Sequence, residues 1–289
     1  MSSIRLLRTF VAVATEGSFA AAAQRVALTQ AAVGLQMRAL EAEMRRPLFE
    51  RRGKTVVINQ AGRELLPLVR QQIALYEQML AFQHPESVAG TVHIGVVVAS
   101  LGPLVRATLA LKERHPNLDL HAVASHTGDL IPRVESGEFD AAIIVRDPGQ
   151  DLRALEVTEL YSEPIVALAS RSVEETSVKA MLQKYPFIRF HRGDRTGQLV
   201  DGILRRLKVQ PRDFLELNSI DAIVGVIRSG VGVTLLPHLR ESRWHEDPAL
   251  RIFKVGRAKE TRGIALVQRR ASAKAPLIDA VVREFQRTV

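Results

Sequence analysis

The sequence predicts an α/β fold: an amino-terminal winged helix-turn-helix from about Ile4 to Ile58, a linker helix, and a body of doubly wound α/β type. Three observations predict it. Three helical stretches separated by Gly17-Ser18 and Ala27-Leu28 precede Met44, and a strand-turn-strand pattern surrounds Arg51-Arg52-Gly53-Lys54. From Thr91 onward, short apolar runs alternate with helical segments. With 289 residues, 46% of them apolar and 25% charged, the chain is too long for one small core.

The first helix, Ile4 to Glu16, stops at Gly17, a residue suited to the left-handed conformation past a helix end. Ser18 offers a cap to an alanine-rich helix from Phe19 to about Val26, whose small side chains let a neighbour approach closely. The Thr29 hydroxyl can accept from the orphan amides of a third helix that runs to about Met44. Along it Val33, Met37, Leu40 and Met44 step by four, three and four, which makes a core stripe. The opposite face carries Gln30, Ala31, Gly34, Leu35 and Arg38. That face suits a helix entering a major groove, with Gln30 and Arg38 long enough to reach base edges or phosphates. An amphipathic surface helix with an undemanding outer face shows the same pattern. The following hairpin would set Arg51, Arg52 and Lys54 at its tip, the position of a wing against flanking phosphates. An exposed basic turn taken alone is as well read as a solvated loop.

Asn59 can cap a fourth helix, from Gln60 to about Gln83. Its Leu66, Val69, Ile73, Tyr76 and Leu80 recur like the seam of a two-stranded coiled coil, which would pair two heads on a two-fold DNA site. Packing of this helix on its own chain is the alternative. Pro67 should remove one of its backbone bonds, and His84-Pro85-Glu86-Ser87 reads as a hinge. The segments are therefore 1–58, 59–89 and 90–289.

In the body the apolar runs are Val92 to Val98, Leu118 to Val123, Ala141 to Val145, Ile165 to Ala169, Phe187 to Phe190, Val231 to Leu236 and Ile264 to Val267. Helical stretches lie at Pro103 to Arg114, Leu130 to Ser136, Gly197 to Leu207 and Ser219 to Ser229. Ligands in such folds sit at strand carboxyl ends against helix amino termini. The candidate lining residues are Ser100, Thr127, the loop from His191 through Arg192 to Arg195, and Ser219; each taken alone reads first as a helix cap, and their recurrence at equivalent junctions is what points to a pocket. Arg146, Arg192 and Arg195 near that cleft favour an anionic ligand, although surface ion pairs account for them as well.

Several classes are excluded or disfavoured. A net charge of +9 is compatible with a polyanionic partner without requiring one. The absence of cysteine rules out disulfides, cysteine zinc sites and thiol redox sensing. No run reaches a membrane span, and Thr15-Glu16-Gly17 breaks the apolar start too early for a secretory signal, so a cytoplasmic protein that does not contact membranes is expected. There is no Gly-x-Ser-x-Gly elbow, Walker-type loop, Gly-x-Gly-x-x-Gly or His-Glu-x-x-His, so no catalytic residue, metal or cofactor is expected.

The chain resembles the LysR-type transcriptional regulators over essentially its whole length. The resemblance is carried by Phe10-x-Ala12-Val13-Ala14-x-x-Gly17-Ser18-Phe19-x-x-Ala22-Ala23, Leu28-Thr29-Gln30-x-Ala32-Val33, Gln36-Met37-x-x-Leu40-Glu41, Pro47-Leu48-Phe49-x-Arg51 and Ala61-Gly62. In the body it continues with Gly90-x-Val92-x-Ile94-Gly95, His115-Pro116, Gly137-x-x-Asp140 and Gly230-x-Gly232-Val233-x-x-Leu236-Pro237. It implies a dimerising linker and two Rossmann-like α/β subdomains of periplasmic-binding-protein type, 90–160 with 270–289 and 161–269, with a small effector between them. It also implies an operator on double-stranded DNA, a homodimer or homotetramer, and RNA polymerase as a further contact. Thr29, Gln30, Ala31, Gly34 and Arg38 match the family's recognition positions; Ser100, Thr127, the His191 loop and Ser219 match its effector positions. Many members have proline at position 31 and serine at 34, where this chain has Ala31 and Gly34. The segment from Gly95 to Ser100 is one residue longer than the common spacing, which leaves open whether Ala99 or Ser100 faces the pocket. Two rival readings fit the same head: a DNA-binding head on a ligase or hydrolase, and a non-specific architectural DNA protein.

Overall fold

The computed structural model describes residues 3–52, 55–81, 90–147, 149–255, 260–270, 272 and 274–288. The expected wing-tip residues Gly53 and Lys54 and the hinge from His84 to Ser87 lie outside the described residues, as do the side chains of Arg51, Arg52 and Leu80.

The head consists of α1 (Ile4–Glu16), α2 (Phe19–Arg25), α3 (Gln30–Met44), β1 (Phe49–Arg52) and β2 (Thr55–Ile58). Gly17 takes φ +63° past the end of α1, and its carbonyl accepts from the Val56 amide, which ties the wing to the first turn. Thr29 Oγ1 accepts from the Ala32 amide at 3.2 Å, while Ser18 stands at the cap of α2 without a side-chain bond. Glu41 on α3 accepts from the amides of Leu48 and Phe49, so the recognition helix and the wing are hydrogen-bonded to each other. Phe10, Val13, Val33, Met37 and Leu40 are all within 1% of full burial.

Helix α4 (Gln60–Ala81) runs through Pro67 and is capped by Asn59 Oδ1, which accepts from the Gly62 amide. The expected seam divides. Val69 is buried in the head core, and Leu66 and Ile73 pack on it, whereas Leu68, Leu75, Tyr76 and Met79 are exposed. The unpartnered stripe is thus displaced from the one read in the sequence, because the first turns of α4 close the head. Further along, α4 brings Arg70 beside the body; burial depresses its pKa, Glu138 and Asp140 oppose the shift, and Arg269 adds to it.

The body begins with β3 (Gly90–Val96), α5 (Leu101–Arg114), β4 (Leu118–Ala124), α6 (Thr127–Glu135), β5 (Ala141–Arg146) and the long β6 (Leu155–Ser170). It continues with α7 (Val178–Lys184), β7 (Phe187–Phe190), α8 (Arg195–Leu207), β8 (Asp213–Leu217), α9 (Ile220–Arg228) and β9 (Val233–Pro237). Strands β10 (Leu250–Lys254) and β11 (Thr261–Arg269) and helix α10 (Ala275–Thr288) complete it. One ladder runs β4-β3-β5-β11-β6-β9-β7-β8, with β10 on β6. It serves two lobes. The first core joins β3, β5, α5 and α6 to the residues at the start of β6, the end of β11 and helix α10. The second is built on the far half of β6 with α7, α8, α9 and β9. Strands β6 and β11 cross between lobes as antiparallel partners, and their register shifts at Ile264/Ala265, leaving Leu160 as a bulge residue. Among the described residues, no helix is long and apolar enough to cross a membrane.

Candidate functional site

The outer face of α3 is open. Gln30, Ala31, Leu35 and Arg38 are exposed, Gly34 is half-buried, and a Cβ built on Gly34 would meet nothing within 4 Å. The internal packing therefore does not require glycine there. Thr29 is also exposed but has its hydroxyl engaged as the cap of α3. On the wing, Arg51 and Arg52 pair with Val56 and Thr55 across the hairpin.

In the body, the carboxyl ends of the strands meet between the lobes around a cavity of about 180 Å³. Helices α6, α8 and α9 open on it with their first residues, Thr127, Arg195 and Ile220. A wider mouth of about 660 Å³ lies on one side, and a pocket of about 230 Å³ that includes Tyr161 and Trp244 on the other. Thr127 and Ser219 line the central cavity, with their hydroxyls accepting from the amides of Val145 and Ala222. His191 lines the mouth, its Nδ1 2.8 Å from Glu216.

Three of the residues expected in the cleft lie elsewhere. β3 ends at Val96 and a 3₁₀ turn follows, so Ala99 faces the cavity while Ser100 turns inward, fully buried and 3.1 Å from the Tyr161 hydroxyl. Arg146 is held by Glu159 at 3.3 Å and by the Asp147 carbonyl at 2.8 Å, away from the cavity wall. Arg192 pairs with Asp213 and is likewise outside the wall. Arg195 does reach the cleft, but there it binds Asp147 across it at 2.7 Å. The cations that suggested an anionic ligand are thus neutralised within the chain.

Several cleft residues escaped sequence reasoning. His126 Nδ1 lies 2.9 Å from Asp194, the cap of α8, so a second polar contact spans the lobes. On the floor, Arg262 donates to Glu163 at 2.9 Å and to Thr196 at 3.1 Å, with the pair 3% and 2% exposed. Burial raises the Glu163 pKa despite the opposing Arg262. Asn218 and Asp221 complete the wall. Each partner is distant in sequence, and only the position of His126 ahead of Thr127 carried a local signal.

The comparisons accord with this geometry. Residues 4–63 match the model of the bacterial regulatory helix-turn-helix protein, lysR family, and residues 85–289 match the LysR substrate binding domain. A probable RuBisCO transcriptional regulator of Trichormus variabilis is 29% identical over 242 residues, 80% of this chain and 72% of that protein. A full-length OxyR variant from Pseudomonas aeruginosa superposes with a TM-score of 0.77 at 19% identity, covering 99% of this chain and 95% of that one. Full-length CbnR complexed with its target DNA gives 0.62 at 21% identity, covering 99% and 100%. A winged head of this pattern joined to a two-lobed α/β body, each matched by its own family model, makes the chain a member of the LysR family of DNA-binding, effector-responsive transcriptional regulators.

Proposed function

We infer that the regulator docks α3 in a major groove of its operator, with Gln30 at a base edge and Arg38, Arg51, Arg52 and Lys54 on phosphates. The observation that carries this is the contrast between the two faces of α3, one sealed into the head core and the other exposed and bearing Gln30 and Arg38. Ala31 and Gly34 permit close approach, and Thr29 holds the helix end. The structure of CbnR with target DNA supports the same use of a related head. Two copies would pair through the stripe Leu68, Leu75, Tyr76 and Met79 of α4, as a homodimer or within a homotetramer. The segments 1–58, 59–89 and 90–289 act as head, linker and sensor. The effector occupies the cavity walled by Thr127, Ser219 and the His191 loop, changes the angle between the lobes, and so shifts α4 through its contact at Arg70. Contact with RNA polymerase at the promoter would complete regulation, and no chemical conversion of the effector is involved.

Selection of duplex sites from a random pool with the full chain tests the reading. A consensus bound roughly 10³-fold more tightly than random DNA is expected; equal binding would instead indicate an architectural protein. Arg38→Ala should weaken binding to that site and reduce its salt dependence by about one counterion. Unchanged affinity at matched salt would remove Arg38 from the interface.

A further inference from the structure

The cleft is an acidic region in a basic protein. The chain has a net charge of +9, yet the three cavities along the cleft are walled by six carboxylates and three guanidinium groups. Five of the six carboxylates are engaged within the chain. Glu163 is held by Arg262, Asp194 by His126, Glu216 by His191, Glu241 by Arg106, and Asp129 accepts from the Ser125 hydroxyl. The sixth, Asp221, has no hydrogen bond or ion pair among the described residues, and it lines both the central cavity and the pocket behind it.

Helix amino ends ordinarily attract anions. Here each of the three that open on the cavity already has a carboxylate of its own: Asp129 in the first turn of α6, Asp194 at the cap of α8 and Asp221 in the first turn of α9. An acidic ligand would face all three. Two of the guanidinium groups on the wall are already committed, Arg262 to Glu163 and Thr196 and Arg195 to Asp147. A cationic ligand meets the opposite situation. It supplies the solvent-exposed Asp221 with a partner as water leaves the central cavity.

We propose that the effector is a small organic cation, an amine or a guanidine, whose charged group pairs with Asp221. The proposal rests on the cleft being the effector site and names the chemistry that site selects.

The test is thermal melting of the full chain at constant ionic strength with about 5 mM of each probe: putrescine, cadaverine and agmatine as cations, succinate and benzoate as acids. At least one cation should raise the Tm by about 2 °C or more, Asp221→Asn should abolish that shift, and Asp221→Glu should retain it. A cation shift that survives Asp221→Asn overturns the proposal. Stabilisation by the acids alone overturns it too, while leaving the cleft as the effector site. Silence of both classes overturns the cleft reading and this inference together.

Discussion

The Glu163–Arg262 pair is the most exacting point at which to test the body. Glu163 on β6 and Arg262 on β11 stand opposite each other in the antiparallel register, with side chains 2% and 3% exposed. Replacing Glu163 with Leu leaves the guanidinium with a single neutral partner, the Thr196 hydroxyl at 3.1 Å. Removing one member of such a buried pair costs about 3–5 kcal/mol, because the remaining charge keeps its desolvation penalty. For a domain of roughly 200 residues each kcal/mol shifts the Tm by about 2–4 °C, so the expected fall is about 6–20 °C. Removing both charges, as Glu163→Leu with Arg262→Met, should recover most of that loss, since apolar groups of similar volume commonly replace a buried pair at little cost. Differential scanning calorimetry of the full chain resolves the body transition from that of the head. A fall of less than about 2 °C in the single variant, or a double variant as damaged as the single, would refute the reasoning.

Gly34→Ala should stabilise the head by up to about 1 kcal/mol, since its Cβ meets nothing, while weakening operator affinity; urea melts and fluorescence anisotropy read the two effects separately. Gly232 has φ +69° and a Cβ built there would lie 2.2 Å from the Pro186 carbonyl oxygen, so Gly232→Ala should destabilise the second lobe by at least about 1–2 kcal/mol in the same melts. Burial pushes the Asp140 carboxyl up, but hydrogen bonds from His93 and the charge and hydrogen bond of Lys274 more than offset it, so its pKa lies below the ordinary value. A depressed acid stabilises the fold above its unfolded pKa and loses that contribution as pH falls below about 4. Asp140→Asn should therefore lower the Tm at neutral pH and flatten its decline in acid.

The parts legible in the sequence were those where one element's period reports its own burial. Val33, Met37 and Leu40 form such a stripe, and the strand runs at Ala141 and Phe187 are continuous because both faces are covered. β8 and the first half of β6 gave no such signal. β8 is exposed along nearly its whole length, and the first half of β6 mixes exposed and half-buried positions, so only the part from Ile165 to Ala169 stood out. The stripe on α4 was visible, but its period could not say that Val69 is buried in the head core while Met79 stays exposed. In the cleft the hydroxyls at Thr127 and Ser219 were recognisable from their junctions, whereas charge balance was not. The cations Arg146 and Arg192 are evident in the sequence; that Glu159 and Asp213 neutralise them depends on contacts the fold creates.

Helix α10 has a consequence for how the chain is made. It supplies Ile278, Val281 and Phe285 to the first core, packs against α5, and is tied to it by Glu284 and Arg114. The first lobe therefore stays unfinished on the ribosome until α10 has emerged, while the second lobe, drawn from one continuous stretch, can close earlier. During that interval the trough that awaits Phe285 is an open apolar surface, the kind that invites association with other nascent chains. A premature stop before Ala275 would make that interval permanent, so such a truncated chain should aggregate rather than persist as a smaller regulator.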